Sequence, residues 1–409
     1  MSSIALVSWI IPAQAQDRSH ISELLIVSQG GQDILLASTR HDGQLSSWDI
    51  TGPMRAIDDV DYRGGSVAGS TGALSTLYTS QGLTVISSGG NANSLQTHTV
   101  ASNGQLGTPK VFADTARTVF GAMNSFETVI LSSGNQMVYG GIGSGSGIGC
   151  LTFSPTGALL RANIMADTSA SHAGSVVDTT YINIGGTDYL ISASGGSDIG
   201  VSTWAIRSNG QLQHVASIAP DTGLWVSDPT SLTAVHVDGV TYVVLASAGS
   251  NSLTVLEVSP QGQMTITDHL FDDRDSRFEG VTDLKTLEHH GQTYVIVGGA
   301  DDGISLFVLM PNGQLVARRH IEDTTAMGLE NVSAIEARSS GNGIDIFVAS
   351  SSEDGITRLR FETGIAGSTR HAGTAGGTLH GTAGTDMLIG AGGADVLFGD
   401  GGDDIIRDG

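Results

Sequence analysis

The sequence predicts an all-β chain: a seven-bladed β-propeller closed by its N-terminal strand, followed by a short parallel β-roll. Three observations predict it. A glycine turn recurs as SNGQL at 102–106, PTGAL at 155–159, SNGQL at 208–212, PQGQM at 260–264 and PNGQL at 311–315. Its glycines, at 104, 157, 210, 262 and 313, step by 53, 53, 52 and 51 residues. A period near fifty, made of short alternating segments and glycine turns, is that of one propeller blade. Second, an apolar segment recurs seven times, at 33–37, 83–87, 137–140, 188–192, 241–245, 293–297 and 345–349, which sets seven blades. Third, the chain beyond about residue 372 changes to a period of nine.

Blade six shows the unit most clearly. Residues 281–287 (VTDLKTL) alternate and read as the inner strand. Residues 292–298 (QTYVIVG) are almost continuously apolar, as a strand buried on both faces should be. Residues 304–310 form the third strand, and 314–321 alternate again as the outer one. Asn312-Gly313 closes the hairpin between them, where a positive φ suits Asn or Gly. Blade seven runs from Val332 to about Glu362 and lacks a fourth strand. An open sheet edge invites pairing with other chains. Residues 5–10 (ALVSWI), within the apolar run at 4–11, are expected to fill it. Ala13-Gln14-Ala15 resembles a signal-peptidase site, but no Lys or Arg precedes it and the run is short. The closing strand is the preferred use of this segment. The expected boundaries are 1–364 for the propeller, 365–371 for a linker and 372–409 for the roll.

The formal charge is −23 and the pI about 4.6, with Lys110 and Lys285 as the only lysines. Such a surface repels nucleic acid and anionic lipid and attracts cations. No apolar run is long enough to span a bilayer. Cys150 is the only cysteine, so no intrachain disulfide forms, and its apolar strand predicts an inert buried thiol.

Loops on one face carry much of the acid. Asp59, Asp114, Asp167, Asp221, Asp273 and Asp323 repeat between blades, and Asp42, Asp198, Asp301, Asp302, Glu353 and Asp354 fall in hairpins on the same face. The plainer reading of the repeated Asp is that each caps its own turn. Residues that break the repeat make better site candidates. His172, Asp228, Glu279 and Glu330 stand just before the inner strands, where loops reach the central channel, with Arg274 and Arg277 nearby. A carboxylate pair and a histidine there could do acid–base chemistry or hold a divalent cation. His289-His290 reads as a solvated turn on the opposite, neutral face. No nucleophile elbow, zinc-protease motif or phosphate loop occurs. The glycine-rich stretch 140–149 sits where blade three needs a hairpin, with no helix pattern after it.

The terminal repeats are Gly381-x-x-Gly384-x-Asp386, Gly390-x-x-Gly393-x-Asp395 and Gly399-x-x-Gly402-x-Asp404, each with an apolar residue two places on. Glycines permit the turn, each Asp offers hard oxygen to Ca²⁺, and the apolar residue points inward. Two nonapeptides make one coil, so Asp386 and Asp404 are expected to share an ion. Asp395 faces Gly377 in the preceding repeat and has the weaker site. Without calcium the clustered Asp repel, and the tail is expected to be disordered.

These nonapeptides resemble those of the RTX proteins. That resemblance implies export by type I secretion from a Gram-negative bacterium, calcium-triggered folding outside the cell and few cysteines. RTX chains normally continue past the repeats, so an end at Gly409 implies a truncated or processed form. The blades are similar to those of the lactonase-type seven-bladed family, whose P-x-x-G-x-L turns join the last two strands. That likeness lies in scaffold residues and places no catalytic motif. The expected function is therefore that of a secreted, calcium-binding propeller. It would act as an extracellular binding or surface-assembly protein for a protein, glycan or small molecule, assembling through blade edges or the tail. The alternative is a lactonase-like hydrolase at the channel, with or without a divalent metal.

Overall fold

Each copy of the glycine turn joins the third and outer strands of one blade and rests on the blade before it. In the computed structural model its glycines have φ between 72° and 83°. That left-handed region favours glycine. A Cβ there would also strike the preceding blade: Met137 from Gly210, Tyr189 from Gly262, Thr267 and Tyr242 from Gly313. Hydroxyls complete the joint. Tyr139 donates to the Gly210 carbonyl at 2.8 Å, Tyr189 to Pro260 at 3.1 Å and Tyr242 to Pro311 at 2.8 Å. The period is therefore a blade-to-blade contact repeated.

The structure describes residues 3–10, 21–39, 44–61, 72–88, 94–113, 123–142 and 147–408. Seven antiparallel four-stranded sheets follow in chain order around a seven-bladed propeller. The inner strands are Ile21–Gln29, Leu74–Thr79, Glu127–Ile130, Val176–Ile184, Pro229–Val237, Asp283–His289 and Val332–Ser340. Every second strand is almost wholly buried, as the apolar runs predict. The only helical piece among the described residues is the 3₁₀ turn Pro220–Thr222. Cys150 is buried, and burial pushes its thiol up to about 12.

The seventh sheet orders as Ser3–Ile10, Ile356–Glu362, Gly343–Ser350 and Val332–Ser340. Ile4 pairs with Phe361 and Ile10 with Ile356, and the Trp9 indole donates to the Asp354 carbonyl at 3.1 Å. The segment with the signal-peptidase resemblance, 11–20, lies outside the described residues. Between blades seven and one the tyrosine joint is replaced by arginines. Arg338 bonds Asp33 and the Ile50 carbonyl, and Arg358 bonds the Gly52 carbonyl. Both arginines, with Arg360, converge on buried Asp345 at 3.1, 2.6 and 3.1 Å. Burial acts to raise the Asp345 pKa, but the three guanidiniums hold it below the usual range.

After the propeller, Ala366–His371, Thr385–Ile389 and Ile405–Arg407 form one parallel sheet, and Gly377–His380 and Asp395–Phe398 a second. Partners lie eighteen residues apart, as Met387 with Ile405 and Leu379 with Leu397, so two nonapeptides make one turn. Residues 366–371, read as linker from sequence, are thus a strand of this coil. Met387, Ile389 and Ile405 enter the same core cluster as Tyr294, Leu306 and Ile346 of blades six and seven. Arg319 adds an ion pair to Asp403 at 3.2 Å.

His289 departs from expectation. It is not solvated but 2% exposed, between the Ser339 hydroxyl at 2.6 Å and Thr363 at 2.9 Å. Its neighbour His290 takes the left-handed turn position instead. Burial, with the charges of His290 and Arg360, lowers His289 to about 4.

Candidate functional site: an acidic central channel

The inner strands place an unexpected set of side chains in the channel. A bulge near the strand start recurs between Ile21 and Glu23, Val176 and Asp178, Pro229 and Ser231, and Val332 and Ala334. It sets Glu23, Asp178, Ser231 and Ala334 at one register, opposite Ser38, Ala193, Ala246 and Ala349. Asp283, opposite Gly298, holds the same place in blade six. Strand alternation returns the chain to this face two residues later, at Lys285 and Glu336. Glu23, Asp178, Ser231 and Asp283 line a cavity of about 570 Å³, together with Asn124, Ser125 and Thr230.

The carboxyls are tied to neighbouring blades. Asp178 accepts from the Thr179 N–H at 2.7 Å and the Leu232 N–H of blade five at 2.9 Å. Asp283 repeats this with Leu284 at 2.8 Å and Ile335 of blade seven at 2.6 Å. Ser231 stands between them, its Oγ 3.2 Å from Asp178 and 3.3 Å from Asp283. A hydroxyl has one proton, so it serves one carboxylate at a time. Lys285 pairs with buried Glu336 at 2.8 Å.

One lysine, Lys285, faces five carboxyls around the channel, and their proton affinities shift accordingly. Burial raises Glu127 to about 8 and Asp178 to about 7. Burial raises Asp283 to about 6, against the backbone bonds and Lys285. Glu23 is raised well above its ordinary value by burial and by Asp283 and Asp178. Burial works against the charge of Lys285, but Glu336 outweighs it and raises the ammonium. At neutral pH the channel thus retains protons, and Asp178 and Asp283 can give or take one.

The four predicted candidates do not meet there. None of His172, Asp228, Glu279 and Glu330 lines the channel cavity. His172 binds Asp198 through Nδ1 at 2.7 Å within blade four. The same place in blade six is filled by Arg277 with Asp301 and Glu322, so Arg277 is not directed at Glu279. Asp228 holds a left-handed turn, φ 47°, before its inner strand. Glu279 and Glu330 do occupy equivalent places, each just before a left-handed residue, Gly280 or Asn331. Among the described residues no three His, Cys, Asp or Glu converge to hold a metal.

At three junctions between blades the loop Asp behaves as a turn cap, whereas Asp221 lies within the 3₁₀ turn Pro220–Thr222. Asp167 accepts from the Ala173 N–H, Asp272 from Phe278 and Asp323 from Leu329, each six residues on. In blade six the repeating residue is therefore Asp272, one place before the expected Asp273. Asp59 lies within an outer strand, Arg55–Asp61, rather than in a loop. Asp42 and Asp114 fall outside the described residues.

In the coil, most repeat glycines are required by stacking: a Cβ on Gly381, Gly384, Gly393 or Gly402 would run into backbone one turn away. Gly390 donates to the Arg407 carbonyl at 2.7 Å, and Gly399 abuts the Asp404 carboxylate. Asp386 is buried and accepts from the N–H groups of Ser368 and Thr382, both at 2.7 Å. Asp404 accepts from the Asp386 N–H at 2.9 Å. These two carboxylates thus tie one turn to the next. Burial raises Asp386 but these bonds hold it below the usual range. Asp395 differs: Oδ2 accepts from the Ala391 N–H at 2.8 Å, and Oδ1 is buried with no partner. A hard cation fits that free oxygen better than the saturated Asp386.

No known family matches the sequence, and no curated protein does. Among solved structures the chain is similar to the crystal structure of a protein from Lactobacillus plantarum, with TM-score 0.56 and 12% identity over 82% of this chain and 98% of that one. At that identity the likeness shows the seven-bladed fold alone. No described helix is long and apolar enough to cross a membrane.

The channel set was missed because its charges sit in strands that look like scaffold. One signal was legible: charged residues at the same register of the inner strands of blades one, four and six, Glu23, Asp178 and Asp283, then Lys285 and Glu336 two places on. Their convergence depends on ring closure, which no local pattern records.

Proposed function

We propose that the chain is a secreted calcium-binding β-propeller acting as an extracellular binding or surface-assembly protein. Calcium orders its terminal RTX coil after type I export from a Gram-negative cell. The N-terminal strand closes the ring, consistent with its pairing to Ile356–Glu362. The observation that carries the reading is the eighteen-residue parallel ladder, with the free Asp395 oxygen at its turn. Asp395 would hold the ion through its free Oδ1, and calcium would supply charge neutralisation there. The ligand, whether protein, glycan or small molecule, would meet the channel mouth. Melting of the full chain in calcium and in a chelator tests this. Calcium at a hundred times its Kd should stabilise by about 2.7 kcal/mol. Asp395→Asn should lose most of that. Identical melting in both buffers sinks the reading.

A second reading, a lactonase-like hydrolase, is favoured by Asp178 and Asp283 sharing Ser231. It moves the acid–base groups from the loops into the channel. Asp178→Asn should then slow lactone hydrolysis by about 10²-fold or more. An unchanged rate removes it.

A further inference from the structure

Blade four carries a serine and a histidine placed for chemistry that neither reading uses. The outer strand Leu212–Ile218 is bulged opposite Thr203 and Trp204. The bulge brings His214 back onto Ser217, with Nε2 2.8 Å from Oγ. The imidazole also meets Trp204 edge-on at 5.1 Å, so its orientation is set on a further side. Ser217 is in turn 2.8 Å from the Ser202 hydroxyl, which is fully buried and takes the His172 N–H at 3.1 Å. His172 stands close enough to affect His214 electrostatically and is itself held by Asp198.

These residues break the blade repeat. The register position of His214, opposite Trp204, is Ile266 in blade five and Ala317 in blade six. That of Ser217, opposite Ser202, is His269 and His320. Blade geometry therefore explains the Ser202 hydroxyl, whose counterparts are Thr254 and Ser305, but not the Ser–His pair. Both members are only partly buried, so a reagent can reach them.

We propose that Ser217 is a nucleophile and His214 its general base, in an acyl-transfer site for small esters on the outer strand of blade four. A nucleophile within hydrogen-bond reach of a base that a third group orients is the arrangement this chemistry needs. Ser217 Oγ attacks the acyl carbonyl while His214 Nε2 takes its proton. The ester C–O bond breaks, and the alkoxide leaves with that proton. Water then attacks the acyl-serine and gives a proton to His214, which passes it to the departing Ser217 Oγ as the acid is released. Burial, with the charge of His172, lowers the His214 pKa, so the ring is a neutral base at pH 7.

The test is labelling of the full wild-type chain with a fluorophosphonate at pH 7.5, read by intact mass and peptide mapping. A single adduct on Ser217 is expected. It should vanish in Ser217→Ala and form at least tenfold more slowly in His214→Gln. The labelling rate should rise with pH through a midpoint below 6.5. No wild-type adduct, an adduct elsewhere, or equal rates in wild type and His214→Gln would each overturn the proposal.

Discussion

Asp345 shows how much one residue can hold. Three arginines converge on its carboxylate, and two of them continue to blade one. Removing one partner of a buried ionic group costs more than the pair itself contributes, because it strands the remaining charge. Asp345→Ala should lower unfolding free energy by about 3–5 kcal/mol in a denaturant titration. A loss under about 1 kcal/mol would mean that solvent reaches the seam. The sequence marks Asp345 only as one polar position in a buried strand. Its three partners come from two further strands, and their targets on blade one lie some three hundred residues away.

At the scale of the element, the recurring turn joins conformation to packing. Gly313 has φ 80°, and its missing Cβ leaves room for Thr267 and Tyr242 of the preceding blade. Gly313→Ala therefore meets both a strained backbone and a clash. It should destabilise by roughly 1–3 kcal/mol by thermal melting. The exposed Gly239, φ 81° with open space around it, should cost less on the same substitution, by the contact part alone. Equal costs would show that the turn needs glycine only for its backbone. The turns and second strands were legible because each encodes its own local geometry. The bulges of the inner strands were not, although they aim Asp178 and Glu23 at the channel.

For the molecule as a whole, the channel and His289 pull stability in opposite directions with pH. Glu127, Asp178 and Asp283 have raised folded values, about 8, 7 and 6. The folded chain keeps protons that the unfolded chain has released, so their contribution is lost as pH rises from the ordinary values of 3.8 to 4.5 up to the folded values of about 6 to 8. His289, near 4 when folded against 6.5 when free, refuses a proton that the unfolded chain accepts. Its contribution is lost as pH falls from about 6.5 to about 4. Three carboxyls outweigh one histidine, so melting temperature should fall as pH rises from about 4.5 to about 8. Glu127→Gln should flatten that fall. A fall unchanged in Glu127→Gln would assign it to other groups.

By itself the sequence determined the seven-bladed fold, the inert cysteine and the nine-residue rhythm of the tail. Each of these rests on periodicity or local composition, which survive in one dimension. It directed attention to His172, Asp228, Glu279 and Glu330, because loops beside a channel are where unusual residues stand out. Only the tertiary structure decided which carboxyls share space. Closing the ring brings Glu23 to Asp283 and Glu336 from opposite ends of the propeller chain. A low-dielectric channel then raises their pKa values, an effect of distance and burial that sequence spacing does not contain.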